Sequence, residues 1–129
     1  MEVLKQRETM LTNREVLTFL NDVRKEEDHK PSGDRCKMLS TVLYETKKYL
    51  NASPAATQNE TVICELIPKL KPYKLTGAET LQVLNMRPAN ASDIQLLIEE
   101  TEERFPEEEE LKKLVTTITD CLPPPPPKR

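Results

Sequence analysis

Apolar residues recur at helical spacing in six segments of the chain. Such a spacing, close to 3.6 residues per turn, places the apolar side chains on one face of an amphipathic helix. The pattern therefore predicts six helices and an all-α fold. The six apolar sets are Val16, Leu17, Leu20 and Val23; Met38, Leu39, Val42, Leu43, Tyr49 and Leu50; Val62, Ile63, Leu66 and Leu70; Leu81, Val83 and Leu84; Ile94, Leu97 and Ile98; and Leu111, Leu114, Val115, Ile118 and Leu122.

Helix start signals precede four of these segments. In a capping box, the side chain of an N-cap Ser or Thr accepts a hydrogen bond from the backbone N–H three residues later. A Glu at that later position accepts a hydrogen bond from the backbone N–H of the N-cap residue. Asn90 with Asp93 is a weaker relative, and Pro106 suits the first turn of the last helix, where its missing N–H is not needed. The three boxes are Thr12-x-x-Glu15, Thr57-x-x-Glu60 and Thr76-x-x-Glu79.

Proline marks the ends of several predicted helices. Breaks are expected at residues 30–33, 52–54, 71–72 and 87–88. Pro68 lies inside an apolar stripe, where its ring would clash with the carbonyl group of Cys64. The third helix is therefore expected to kink or stop near Ile67.

The predicted elements divide the chain into three parts. Residues 1–55 hold an N-terminal arm and two helices, residues 56–122 a bundle of four shorter helices, and residues 123–129 a proline-rich tail, expected to be disordered. The first part has too little apolar surface to fold alone, since segments below about 40–50 residues rarely do so. It must pack on the second part, on a partner, or on both.

Composition narrows the function classes. Only 2 of the 129 residues are Gly, which argues against many-stranded β folds and Gly-rich nucleotide loops. Apolar residues make up 36% of the chain, below the usual ~45–50%, so the core is expected to be thin. The net charge of −3 conceals an acidic block at residues 99–110, where eight Glu and one Arg give −7.

Other sequence features place the chain in a reducing compartment, the cytosol or nucleus. No apolar run approaches the ~20 residues of a membrane span, and the N-terminus does not resemble a signal peptide. Three widely spaced cysteines predict neither a disulfide framework nor a zinc site.

The residue pattern bears on three functional classes: an enzyme, a nucleic-acid-binding protein and a partner-binding subunit. An enzyme is not expected, because the only histidine, His29, lies in a charged loop without an orienting partner, and no catalytic or metal-binding cluster is present. Weak contact with a nucleic-acid backbone is assigned to Lys69, Lys71 and Lys74, although a polar loop explains them more simply. A partner-binding subunit fits the thin core and the apolar arm.

The segment KLTGAETLQVLNMRPANASDIQLLIEETEER, residues 74–104, carries a family resemblance. Its elements KLT-x-AE-x-LQ-x-LN-x-RP, IQL and EE-x-EER resemble the small stalk subunits of RNA polymerase III, the calcitonin gene-related peptide receptor component family. Upstream, Asn13-x-Glu15-Val16 and Tyr44-Glu45-Thr46-x-Lys48-Tyr49 also match, so the resemblance covers most of residues 10–120. RNA polymerase II and archaeal polymerases have similar subunits.

The resemblance implies an all-α, HRDC-like helical domain preceded by a helical arm. It also implies a nuclear, non-catalytic subunit that needs no cofactor and forms a stalk heterodimer with an OB-fold subunit of RNA polymerase III. The stalk helps recruit the initiation factor complex, and RNA contact is expected mainly from the OB-fold partner. Two alternatives remain: a free-standing nucleic-acid-binding module, and an accessory protein coupling a peptide-hormone receptor to signalling.

The partner-binding hypothesis rests on the surplus of apolar residues in the first 55 residues. The residues assigned to the contact with the stalk partner are Val3, Leu4, Met10, Leu11, Val16, Leu17, Leu20, Leu43 and Tyr44.

Overall fold

Seven α-helices connected by short turns form the structure, a computed structural model that describes residues 2–34 and 36–127. No strand occurs in these ranges, which confirms the all-α prediction. One helix more than the six predicted is present: α6 is a single turn that the apolar pattern did not predict. The helices are α1 (Asn13–His29), α2 (Lys37–Asn51), α3 (Glu60–Leu70), α4 (Gly77–Met86), α5 (Ala91–Leu97), α6 (Thr101–Arg104) and α7 (Glu108–Cys121).

Two of the three capping boxes are confirmed. The Thr12 hydroxyl accepts from the Glu15 N–H at 3.1 Å, and the Glu15 carboxylate accepts from the Thr12 N–H at 3.0 Å. The box that begins with Thr76 has the same reciprocal bonds. Asn90 also caps α5 as predicted, because its side-chain oxygen accepts from the Asp93 N–H at 2.9 Å.

The box predicted at Thr57 is wrong. Thr57 belongs to a short 3₁₀ turn, Pro54–Thr57, which begins where Ser53 accepts from the Ala55 N–H. Asn59 caps α3 instead, since its side-chain oxygen accepts from the Val62 N–H at 3.0 Å. The 3₁₀ turn thus moves the start of α3 two residues beyond the predicted cap.

The helices end at the four breaks predicted from proline, but the predicted stop at Pro68 and the predicted place of Pro106 need correction. Helix α3 does not stop near Ile67 but continues through Pro68 to Leu70. Pro68 lies in the last turn, where it removes a single backbone bond, and the burial of Leu66 and Leu70 fixes that turn against the core. Pro106 does not lie in the first turn of α7, because α6 precedes it and the N-cap of α7 is Glu107.

The main hydrophobic core lies between residues 63 and 122. Helix α7 packs against α3 and α5, and α4 packs against α3 and α5. The buried side chains of this core are Ile63, Leu66, Leu70, Val83, Leu84, Ile94, Ile98, Phe105, Leu111, Leu114, Ile118 and Leu122.

The first part of the chain buries a smaller apolar set outside that core. Helices α1 and α2 pack against each other and against the turn Pro54–Thr57, burying Leu17, Leu43, Leu50 and Ala55. Two hydrogen bonds join this part to α4: the Asn13 N–H at the start of α1 donates to the Asn85 side chain at 2.8 Å, and the side chain of Gln58, directly after the turn, donates to the Leu84 carbonyl oxygen at 2.8 Å. The division at residues 55 and 56 stays a prediction.

Candidate partner-binding surface

The N-terminal arm exposes its apolar side chains. Residues 2–11 form no helix, and Val3, Leu4 and Met10 are 69%, 91% and 74% exposed. An ordinary surface leaves single apolar side chains in water, but a run of them marks a contact site. The structure thus leaves the arm residues of the predicted interface free to meet a partner.

An open groove between α1 and α3 begins beside the arm. Leu11, Phe19 and Ile67 line it together with polar residues of both helices, and 59% of Phe19 is exposed. Phe19 and Ile67 are not among the residues predicted to contact a partner. Phe19 lies outside the apolar stripe of α1, and a large apolar residue off the core face is a signal that would have singled it out.

Not every residue of the predicted interface is accessible. Leu17 and Leu43 are 3% and 1% exposed, because they pack between α1, α2 and the turn Pro54–Thr57. Val16 and Leu20 are half-buried. Leu17 and Leu43 thus belong to the interior of the chain, and the exposed residues of the predicted interface are the arm residues, Leu11 at the edge of the groove and Tyr44.

Tyr44 lies in a different place from the arm and the groove. It lines a pocket between α1 and α2 with Arg24, Lys47, Lys48 and Asn51, above Leu43. At 3.6 residues per turn, Arg24 points about 140° away from Phe19, the large apolar residue of α1 that lines the groove. The predicted interface therefore divides into two surfaces on opposite sides of α1.

The three lysines assigned to weak nucleic-acid contact are Lys69, Lys71 and Lys74, and all are exposed. The Lys69 amine contacts the Cys121 sulfur at 3.4 Å, near the end of α7, whereas Lys74 lines a shallow pocket with Lys113. Lys113 and Cys121 are about 12 Å apart along the helix axis. The lysines thus do not converge on one patch, and a contact with nucleic acid stays a prediction.

Several residues of the segment 74–104 meet at an ion pair between the buried Glu79 and the half-buried Arg104. Arg104 donates to both carboxylate oxygens of Glu79, at 3.0 and 2.8 Å, and to the carbonyl oxygens of Lys74 and Glu99. Glu79 also accepts from the N–H groups of Thr76 and Glu99, at 2.9 and 3.0 Å. The motif elements KLT, AE and EE-x-EER therefore form one structural junction.

The electrostatics of this junction hold Glu79 ionised. Burial alone raises the pKa of the Glu79 carboxyl. The hydrogen bonds from Arg104 and from two backbone N–H groups outweigh burial, and the pKa falls from 4.5 to about 2. A carboxylate with such a low pKa is a poor proton carrier at neutral pH, so the junction is suited to holding helices together.

Among the described residues we next consider the single histidine, metal-ligand clusters and membrane-spanning helices. His29 is exposed at the end of α1, where its ring contacts the Lys25 carbonyl group of the same helix. Residues 2–34 and 36–127 contain no group of His, Cys, Asp or Glu side chains arranged to hold a metal ion. In the same ranges, each helix is too short or too polar to cross a membrane.

Comparison with known proteins agrees with the family resemblance. The sequence model of the RNA polymerase Rpb4 family matches residues 10–122. The DNA-directed RNA polymerase III subunit rpc9 of Schizosaccharomyces pombe is 32% identical over 117 residues, which cover 84% of this chain and 89% of the relative. The subunit rpc9 of Dictyostelium discoideum is 29% identical over 108 residues, which cover 79% of this chain and 78% of the relative. The chain therefore belongs to the Rpb4 family of RNA polymerase subunits, which confirms the resemblance to small stalk subunits.

Proposed function

We propose that this protein is a non-catalytic subunit of RNA polymerase III in the nucleus. The observation that carries the proposal is the match to rpc9 subunits over most of both chains, within a family match spanning residues 10–122. In this role the chain forms the stalk heterodimer with an OB-fold subunit and helps recruit initiation factors. Catalysis and most RNA contact belong to other subunits.

The exposed apolar arm and the α1–α3 groove support a role in binding the OB-fold subunit. The arm supplies Val3, Leu4 and Met10, and the groove continues that surface with Leu11 and Phe19. Burial of apolar area is the main driving force of stable association. A partner that covers the arm and the groove buries apolar side chains that the chain's own core does not cover.

Affinity purification of the tagged chain from its cells tests the assignment to RNA polymerase III. Identification of the co-purifying proteins by mass spectrometry should yield the other RNA polymerase III subunits. A purification that recovers RNA polymerase II subunits in their place, or no polymerase subunits, would show the proposal to be wrong.

Substitutions at the groove test the contact surface. Phe19→Asp places a charge in the proposed interface, and an unpaired buried charge costs several kcal/mol, so recovery of polymerase subunits should fall more than tenfold. Leu96→Asp is the matched control, since Leu96 is 86% exposed on α5 and does not line the groove. Equal recovery with both variants would exclude the groove as the contact. Leu17→Asp cannot separate a loss of partner binding from a loss of folding, because Leu17 is buried within the chain itself.

A further inference from the structure

The proline run after α7 begins at a residue that is held in the core. Helix α7 ends at Cys121, and the next residue, Leu122, is 1% exposed. The Arg87 side chain donates from Nε to the Leu122 carbonyl oxygen at 3.1 Å. A φ of −95° and a ψ of 127° at Leu122 turn the chain from helix to extended backbone. Residues 123–127 therefore leave the helical bundle from a fixed point.

Five consecutive prolines restrict their own backbone. Each ring holds φ at about −65°, and each proline keeps the residue before it out of the α-helical region. The conformation that satisfies both restrictions is the polyproline II helix, which has about three residues per turn and needs no internal hydrogen bonds. Residues 123–127 accordingly form neither a helical turn nor a strand. The run therefore presents a stiff, extended rod.

The exposure of these prolines follows the period of that rod. Residues three apart lie on one edge of a polyproline II helix. Pro123 and Pro126 are half-buried, whereas Pro124, Pro125 and Pro127 are exposed. One edge of the rod is thus partly covered, and the edge formed by Pro124 and Pro127 is open to solvent.

We infer that this open edge docks into the aromatic-lined groove of a protein domain of the SH3 type. Such grooves bind prolines at P-x-x-P spacing, which Pro124 and Pro127 provide. The backbone is already in the bound conformation, so little entropy is lost on docking. In the sequence Arg129 follows as Pro124-x-x-Pro127-x-Arg129, and its guanidinium matches a carboxylate at the rim of the groove.

Other classes of partner fit the run less well. Proline has no backbone N–H, so residues 123–127 cannot pair with the edge of a sheet or donate main-chain hydrogen bonds to phosphates. Two cations, Lys128 and Arg129, follow the run, whereas recognition of an anionic membrane takes about 4–8 of them. Nucleic-acid backbones likewise require several cations on one face.

The inference does not depend on the polymerase assignment. The family match ends at residue 122, so the proline run lies outside the segment that carries that assignment. The arm and the groove between α1 and α3 do not include the run either. It therefore adds a separate docking segment to the chain.

Tryptophan fluorescence tests the inference with the purified full chain. The probe is an SH3 domain that binds P-x-x-P-x-Arg peptides and has a tryptophan in its groove. Since the chain itself has no Trp, selective excitation of tryptophan reports the probe alone. Titration with the chain should give a saturable change in fluorescence, which an excess of a P-x-x-P-x-Arg peptide reverses. No change, or a change that the peptide does not reverse, would overturn the inference.

Two double variants identify the edge of the rod that docks. Pro124→Ala/Pro127→Ala removes the open edge and should weaken binding about tenfold or more. The matched control, Pro123→Ala/Pro126→Ala, removes two prolines from the partly covered edge and should weaken binding less than about threefold. Equal losses, or a larger loss in the control, would overturn the inference. Circular dichroism verifies that both variants fold.

Charge reversal tests the contact assigned to the guanidinium. Arg129→Glu should weaken binding about fivefold or more, because it places a carboxylate against the acidic rim. Lys113→Glu, the matched control, makes the same change of charge at an exposed position of α7 and should change binding less than about twofold. Equal effects would contradict the assigned contact. Since no polymerase is present in these assays, their failure would leave the result of the affinity purification unaffected.

Discussion

The substitution Glu79→Gln tests whether the buried junction holds the second half of the chain together. The Glu79 carboxylate accepts from the backbone N–H groups of Thr76 and Glu99 and accepts twice from Arg104. A glutamine keeps one oxygen and places an NH₂ group where the second oxygen was. At least one donor then faces another donor, and Arg104 loses its counter-charge.

The expected magnitude follows from the pKa of the Glu79 carboxyl. A fall from 4.5 to about 2 corresponds to about 3 kcal/mol of folding free energy at pH 7, at about 1.4 kcal/mol per unit. Glu79 is only 6% exposed, but its partner Arg104 is 26% exposed, so water screens part of this contribution. Glu79→Gln should therefore lower the free energy of unfolding by up to about 3 kcal/mol and Tm by up to roughly 10 °C.

The pH dependence gives the sharper test. Because the pKa is lower in the folded state than in the unfolded state, the stabilisation is complete above about pH 5 and is lost as pH falls towards 2. The gap in unfolding free energy between the natural chain and Glu79→Gln should narrow from about 3 kcal/mol at pH 7 to about 1 kcal/mol at pH 3.

Urea denaturation followed by circular dichroism at several pH values between 3 and 7 measures this gap. Glu102→Gln is the matched control, since it removes one charge from an exposed neighbour and should change stability by no more than about 0.5 kcal/mol. A gap that is the same at every pH, or smaller than the effect of Glu102→Gln, would refute the account of the ion pair.

Three further predictions test the fold. Glu100 has a φ of 53°, a conformation that glycine adopts without strain, so Glu100→Gly should raise the free energy of unfolding by about 1 kcal/mol. Glu99 has no positive φ, so Glu99→Gly should lower it. Thermal denaturation measures both changes, and a loss of stability in Glu100→Gly would contradict the reasoning. Asn59→Ala should cost about 1 kcal/mol and Thr57→Ala less in urea denaturation, and the reverse order would restore the predicted capping box. Leu66→Ala, at a fully buried site, should cost about 2–5 kcal/mol, and a loss below 1 kcal/mol would contradict the packing of α3 on α7.

Sequence periodicity predicted the helices wherever an amphipathic stripe extends over several turns. It failed for α6, because the four residues Thr101–Arg104 are too few to show a period. Thr57 and Asn59 are both suitable N-caps by local pattern. The choice between them depends on the 3₁₀ turn after Ser53, whose buried Ala55 packs in the first half of the chain.

The candidate site was only partly predictable for a related reason. The arm residues Val3, Leu4 and Met10 stood out because the first 55 residues hold more apolar side chains than so short a segment can bury. The groove required knowledge of how α1 meets α3, which is a contact between residues about 45 positions apart. The same lack of tertiary information placed the buried Leu17 and Leu43 in the interface.

The motif residues that form the junction in the segment 74–104 are not the ones proposed to bind partners, and physical chemistry explains the difference. Replacing one member of a buried ion pair leaves its partner charged and unpaired, so Glu79 and Arg104 tolerate few alternatives. An apolar contact surface requires only side chains of suitable size and hydrophobicity, and many residues at Val3, Met10 or Phe19 satisfy that. The motif therefore identifies the family through the structural junction, while the binding surfaces are identified by their exposure and charge.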